Sequence, residues 1–285
     1  MELLDILKVV AVTAVLIPAC VSDWRRREAS DVHWAVIGIF GILCMFYASY
    51  AEGMTHWHIM MIIGVVMILL DILYDFERRR IFDMLFYAVM AALFIIPVVY
   101  AWDDVLIRQF LVVPAAFLIF LGMFVTGLVR GGADVKCLIV LAMVFQTYPV
   151  FSVFPLIGIP DGPVALVFQF SLMVMFHAAL FSAAAALYYL ARNLRRGERG
   201  MPYILLGYRM DIADARNAHV WPMQTVSDGV SVRVRKAQEP SVLDELEGIG
   251  EKDVWVTPMV PFLIPIAAAV LFVSLIGNLL FLLPL

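Results

Sequence analysis

Long apolar runs separated by short polar clusters set the pattern of this chain. Each run reaches the roughly 20 residues that a helix needs to cross a bilayer. Eight spans are predicted, at about 4–22, 32–51, 58–75, 83–101, 106–128, 136–157, 163–191 and 258–284. Residues 193–254 break the pattern: they are polar and mixed in charge, with Gly197, Gly200, Pro202, Gly207 and Pro222 as punctuation. Within them Val230-Ser231-Val232-Arg233-Val234-Arg235 alternates apolar and polar, the period of a strand. The expected fold class is therefore an all-α polytopic membrane protein with a small α+β insertion before the last helix. The expected divisions are a membrane domain over 1–192, an inserted domain over 193–257 and a C-terminal transmembrane helix over 258–285.

Charge then orients the spans. Arg25-Arg26-Arg27, Arg78-Arg79-Arg80, Arg130 with Lys136, and Arg192, Arg195, Arg196 and Arg199 fall on alternate loops. The other loops carry Glu52, Asp103, Asp104 and Asp161, with Arg108 their only basic residue. Lys and Arg collect on the cytoplasmic side. Both termini are thus expected outside, in a multi-pass protein of the cell membrane, with the inserted domain in the cytoplasm. The first segment carries Glu2 and Asp5 ahead of its apolar stretch and its basic cluster after it, opposite to a cleavable signal. Residues 4–22 are accordingly expected as a retained first helix.

Composition agrees. Hydrophobic residues make up 64% of the chain and charged residues 15%, where a soluble domain has roughly 45–50% apolar residues. The net charge of −4 matters less than where each charge sits. Cys20, Cys44 and Cys137 lack CxxC spacing and give neither a disulfide framework nor a zinc site. Neither cofactor nor metal is expected, and no nucleic-acid partner.

An ionised carboxylate at bilayer depth costs several kcal/mol unless solvated or paired, so aspartates within or at the ends of spans are the candidates for chemistry. Asp23, Asp71, Asp75 and Asp134 compete. Asp134 stands in Arg130-Gly131-Gly132-Ala133-Asp134-Val135-Lys136, where the small residues let another chain approach closely. Asp23-Trp24-Arg25-Arg26-Arg27 with Asp31, and Asp75-Phe76-Glu77-Arg78-Arg79-Arg80 with Asp83, repeat one spacing. That repeat is either a duplicated helical hairpin or two cytoplasmic turns obeying the same topological rule.

Gly131-Gly132-Ala133-Asp134-Val135-Lys136 resembles the second-aspartate motif of the GXGD intramembrane aspartyl proteases, in the form found in type IV prepilin and archaeal preflagellin (archaellin) peptidases. Asp23-Trp24-Arg25-Arg26-Arg27-Glu28 resembles their first-aspartate motif. Asp253-Val254-Trp255-Val256-Thr257-Pro258, with Pro261 and Ile264-Pro265-Ile266, resembles the last helix of preflagellin peptidases. Two departures stand out. Ala133 replaces a glycine frequent before the aspartate, and eight expected spans exceed the family's usual six, which makes 55–105 a surplus hairpin.

The resemblance implies that Asp23 and Asp134 are the catalytic pair, with Gly131, Gly132 and Ala133 as motif backbone, Arg25 and Lys136 in possible supporting roles, and Asp75 as rival acid. By position, both aspartates fall at the cytoplasmic boundary at comparable depth. Two carboxyl groups brought together cannot both ionise easily, so the pair holds one proton that belongs to both. In the implied mechanism the ionised member activates water and its protonated partner polarises the scissile carbonyl; which aspartate takes which role stays open. The implied partner is a membrane-anchored precursor, preflagellin or pilin-like, with a short basic leader ahead of an apolar helix. Asp244, Glu245, Glu247, Glu251 and Asp253 either attract such a leader or form a solvated acidic linker. The oligomeric state has no signal.

His33, His56, His58, His177 and His219 show no ligand grouping; His56 and His58 read as interface residues, and His177 as hydrogen-bonded to a neighbouring helix. Ser22 beside Asp23 lacks a helix-borne Lys or His partner. The competing function is a proton- or ion-coupled transporter using Asp23, Asp71, Asp75 and Asp134. A non-catalytic scaffold for a surface filament is a third class and would need no acid pair.

Overall fold

A computed structural model describes residues 2–74, 80–129, 131–160 and 164–283. Asp75, Arg78, Arg79, Arg130 and Asp161 lie outside the described residues, so the rival acid and most of the second basic triplet have no structural description here. The chain divides into two compact units, the first taking in residues up to Ala178 together with those from Pro261 onward, the second Ala179–Val260.

The first unit is helical. It holds α1 (Glu2–Arg26), α2 (Asp31–Ala51), α3 (His56–Leu73), α4 (Arg80–Tyr100), α5 (Val105–Phe110), α6 (Val112–Val125), α7 (Gly132–Val144), α8 (Val164–Val167) and the start of α9 (Phe170–Arg195). Among the described residues six helices are long and apolar enough to cross a membrane: α1, α2, α3, α4, α5 continued by α6, and α9. Local chemistry sets several of their starts. Ser30 caps α2 by accepting from Val32 N at 3.4 Å, and Asp104 caps α5 through Leu106 N at 2.9 Å. Thr55 and His58 form a reciprocal capping box at α3. His58 is not the interface residue expected: it is buried, and its Nε2 meets Asp104 Oδ2 at 2.8 Å, joining the starts of α3 and α5.

The expected spans at 136–157 and 258–284 differ from eight full crossings. Each contains a helix of only 13 residues, α7 and the helix Leu263–Leu275, or roughly 20 Å at 1.5 Å per residue against a hydrocarbon core of about 30 Å. The apolar run continues past α7 as non-helical backbone, and past the helix Leu263–Leu275 as a turn and a short 3-10 helix over Leu279–Leu282. There the two segments satisfy each other: Leu156 N donates to Leu275 O at 3.0 Å and Ile157 N to Ile276 O at 2.8 Å. Irregular backbone at membrane depth is tolerated where protein covers it. α7 is itself sheathed, with Cys137 through Val144 all buried. Its neighbour α2 approaches so closely at Gly41 that a β-carbon there would stand 2.7 Å from the Met143 carbonyl.

The second unit contains the rest of α9, then α10 (Tyr203–Leu206), β1 (Tyr208–Asp211), α11 (Ile212–Asn217), β2 (Val220–Pro222), β3 (Gln224–Ser227), β4 (Val230–Arg233), α12 (Val242–Gly248) and β5 (Asp253–Pro258). The helix Leu263–Leu275, α13, follows in the first unit. β5 is the centre of an antiparallel sheet ordered β1-β5-β2, and β3–β4 is a separate hairpin whose second strand is the alternating segment read from the sequence. Ile212, Val220, Leu243, Leu246, Val254 and Val256 form the core of this unit. Two expectations are corrected by it. The acidic stretch is not a linker, because α12 and β5 pack Leu243, Leu246, Val254 and Val256 inward. Asp253–Pro258 is a strand rather than the start of the last helix, which begins at Leu263.

Candidate active site

Asp23 lies in the last turn of α1, where Arg27 N closes the helix on Asp23 O at 3.0 Å and Arg27 takes a left-handed φ of 59°. Its carboxylate is half-buried and turned toward the start of α13: Oδ2 accepts from Leu263 N at 3.4 Å. One turn earlier, Cys20 Sγ donates to Leu263 O at 3.2 Å. Leu263 is the first residue of α13, so its N–H is one that its own helix leaves without a partner. A carboxylate at that position also faces the positive end of the helix dipole. Arg27, four residues on, sets its guanidinium 5.9 Å from the centre of the Trp24 ring. Arg25, expected as support, instead lines a shallow groove of about 340 Å³ with Cys20, Val21, Trp24 and Ile264.

Asp134 lies in the first turn of α7, whose N-cap is Gly131, extended at φ −82° and ψ 110°. The carboxylate folds back over that glycine. A β-carbon at position 131 would meet Asp134 Oδ2 at 2.0 Å and Cγ at 2.8 Å, so only glycine leaves room for the carboxylate. Gly132 has no such contact: a β-carbon there meets only Phe124 Cε2, at 4.0 Å. Lys136, two residues on, is directed elsewhere and pairs with Asp31 Oδ1 at 2.7 Å, joining the starts of α7 and α2.

Asp23 thus closes α1 and Asp134 opens α7. Among the described residues no hydrogen bond joins the two carboxyl groups; Asp23 is held by Leu263 N, and Asp134 rests over Gly131. Each acid therefore stands at a helix terminus, one held by a backbone N–H and the other over a glycine.

The other candidates are placed differently. Asp71 on α3 accepts from Tyr87 Oη of α4 at 3.2 and 3.1 Å. Ser22 Oγ donates to Glu28 O at 2.8 Å, so its hydroxyl fixes the turn after α1. His177 is buried, with Nδ1 at 2.8 Å from Met173 O of its own helix and Nε2 accepting from Leu279 N at 3.4 Å. Of the acidic residues in the second unit, Asp244 and Glu247 pair with Arg216 at 2.5 and 2.6 Å, and Asp253 with Arg209 at 3.5 Å. No cluster of His, Cys, Asp or Glu among the described residues could hold a metal ion. The Leu263 N–H and Arg27 were not singled out from the sequence. The first is a backbone group, and the second sits within a triplet whose members look alike until the helix end separates them.

The described residues thus include six helices long and apolar enough to cross a membrane, with Asp23 in the last turn of α1 and Asp134 in the first turn of α7. Residues 199–279 match the family described as Archaeal Peptidase A24 C-terminus Type II. The chain is also similar to the preflagellin peptidase of Methanocaldococcus jannaschii, with 24% identity over 237 residues, covering 76% of this chain and 93% of that protein. Both findings agree with the motif resemblance: the chain resembles an archaeal preflagellin peptidase. The family match lies downstream of both aspartates, so their assignment rests on the motifs and the geometry.

Proposed function

We propose that this chain is an intramembrane aspartyl endopeptidase that removes the short basic leader from preflagellin or type IV pilin-like precursors at the cytoplasmic membrane boundary. The observation that carries the reading is that both motif aspartates stand at helix ends, Asp23 in the last turn of α1 and Asp134 in the first turn of α7 with its carboxylate over Gly131. It is supported by the similarity to a preflagellin peptidase and by helices suited to a bilayer. In the same reading both chain termini lie outside, the second unit lies in the cytoplasm, and Asp23 and Asp134 lie near the cytoplasmic face of the membrane.

The chemistry follows from two acids sharing one proton. The ionised carboxylate takes a proton from water as the water oxygen attacks the scissile carbonyl carbon. The protonated partner donates to the carbonyl oxygen, and collapse of the tetrahedral intermediate returns a proton to the leaving amine. Gly131, Gly132 and Ala133 carry little or no side chain beside the acid, so the main chain of an extended substrate can approach closely. A cut at a helix terminus suits a precursor whose leader emerges from an apolar helix at the membrane surface.

The reaction is tested with purified protein in lipid vesicles and a preflagellin precursor, with products identified by mass spectrometry. One intact leader peptide and one mature chain carrying a new N-terminus are expected. Absence of cleavage across several precursors would refute the peptidase reading.

A further inference from the structure

Beside α5 and α6 a cavity of about 640 Å³ opens in the first unit, away from the aspartates on the sequence and lined by none of the residues around them. Leu111, Val112, Ala115 and Leu166 give it an apolar floor. Arg108, Gln109 and Thr147 supply its polar groups, with Trp102 beside them. Arg108 precedes Ala115 by two helical turns, about 10 Å of rise, so the lining passes from charged to apolar along α5 and α6. Among the described residues its guanidinium donates once, from Nη1 to Trp102 O at 2.7 Å, which leaves further N–H donors for a ligand. Among the described residues no carboxylate pairs with it; the nearby Asp104 is committed to His58 and to Leu106 N.

We propose that this cavity is a phospholipid site, with the lipid phosphate on Arg108 and Gln109 and one acyl chain along Leu111, Val112 and Ala115. A chain that spans a bilayer is surrounded by such lipids, and the order of groups along the cavity is the order of a phospholipid from headgroup to tail. Guanidinium matches phosphate oxygens with paired donors, tryptophan prefers the headgroup level, and the volume falls in the usual range for ligand pockets of about 300–1,000 Å³. An apolar helix of a second copy or of a precursor would fill the floor without calling for a cation at one end. The site is independent of the catalytic reading and needs only the membrane.

The test is native mass spectrometry of the full-length protein in detergent micelles, offered phosphatidylglycerol or a diacylglycerol with the same chains. The wild type is expected to keep one phosphatidylglycerol per chain, roughly tenfold more often than the diacylglycerol. Ala115→Trp, which fills the floor from a lipid-exposed position, should lose both lipids, while Arg108→Gln should reduce phosphatidylglycerol to the diacylglycerol level. Circular dichroism of both variants checks that the helices persist. Equal retention by wild type and Ala115→Trp, or no effect of Arg108→Gln, would overturn the proposal. So would a lipid-free wild-type dimer that Ala115→Trp dissociates, because the occupant would then be a second copy.

Discussion

Gly131 and Asp134 share one small space: the Asp134 carboxylate lies where a side chain at position 131 would begin, 2.0 Å from the β-carbon that glycine lacks. The first glycine of the motif is therefore a spatial requirement of the acid three residues later. Gly131→Ala forces the carboxylate to rotate away from its position. A misplacement of about 1 Å at a reacting group costs on the order of 100-fold in rate, so cleavage by Gly131→Ala should fall by about that factor at matched expression. Gly132→Ala, with only a 4.0 Å contact in its path, should stay within a few-fold of wild type. Equal losses in the two variants would show that loop flexibility matters rather than this contact.

Lys136 and Asp31 form an exposed pair, with side chains 29% and 49% accessible. Solvent screening limits such a pair to about 0–1 kcal/mol. A double-mutant cycle with Lys136→Ala and Asp31→Ala, read by thermal unfolding in detergent, should give a coupling in that range. Cleavage should remain within a few-fold of wild type, since Lys136 points to Asp31 and not to Asp134. A collapse of activity with Lys136→Ala alone would return that residue to the catalytic machinery.

The contact between Gly41 and the Met143 backbone fixes how near α2 and α7 come. Gly41→Val must separate the two helices or strain them, at a cost of typically 1–3 kcal/mol. Lower thermal stability is expected together with reduced cleavage, because α7 carries Asp134. An unchanged melting temperature would mean that the two helices have slack at this crossing.

Ser22 neighbours Asp23 in sequence, yet its hydroxyl serves the Glu28 carbonyl. Ser22→Ala should keep cleavage within a few-fold of wild type, and serine-directed acylating reagents should not inhibit. Covalent labelling of Ser22 with loss of activity would contradict the two-acid mechanism.

The sequence disclosed α1 through α4 and α9 because each is a continuous apolar run bounded by charge or by capping residues such as Ser30 and Thr55. It overextended α7 and α13 because hydropathy does not distinguish a helix from apolar loop backbone that protein covers. The pairs Leu156–Leu275 and Ile157–Ile276 that permit this are main-chain contacts between distant segments, which no side-chain pattern announces. In the second unit, Asp244, Glu245 and Glu247 are interspersed with the buried Val242, Leu243 and Leu246, so charge masks an apolar face. Their helical spacing is the signal by which α12 could have been found. At the site, the motifs name Asp23, Asp134 and Gly131 as candidates, and the close approach of Asp134 to Gly131 gives the first glycine a spatial reason. The hold of Leu263 N on Asp23 was not, because it depends on where α13 begins.

The most direct test of the paired acids is leader cleavage of a co-expressed preflagellin in membranes, comparing wild type with Asp23→Asn, Asp134→Asn, Asp71→Asn and Asp75→Asn at matched expression. Loss of cleavage in Asp23→Asn and in Asp134→Asn, with cleavage kept in Asp71→Asn and Asp75→Asn, is the result expected if α1 and α7 carry the chemistry. Cleavage retained by Asp23→Asn but lost in Asp75→Asn would contradict it and move the first acid to the α3–α4 hairpin.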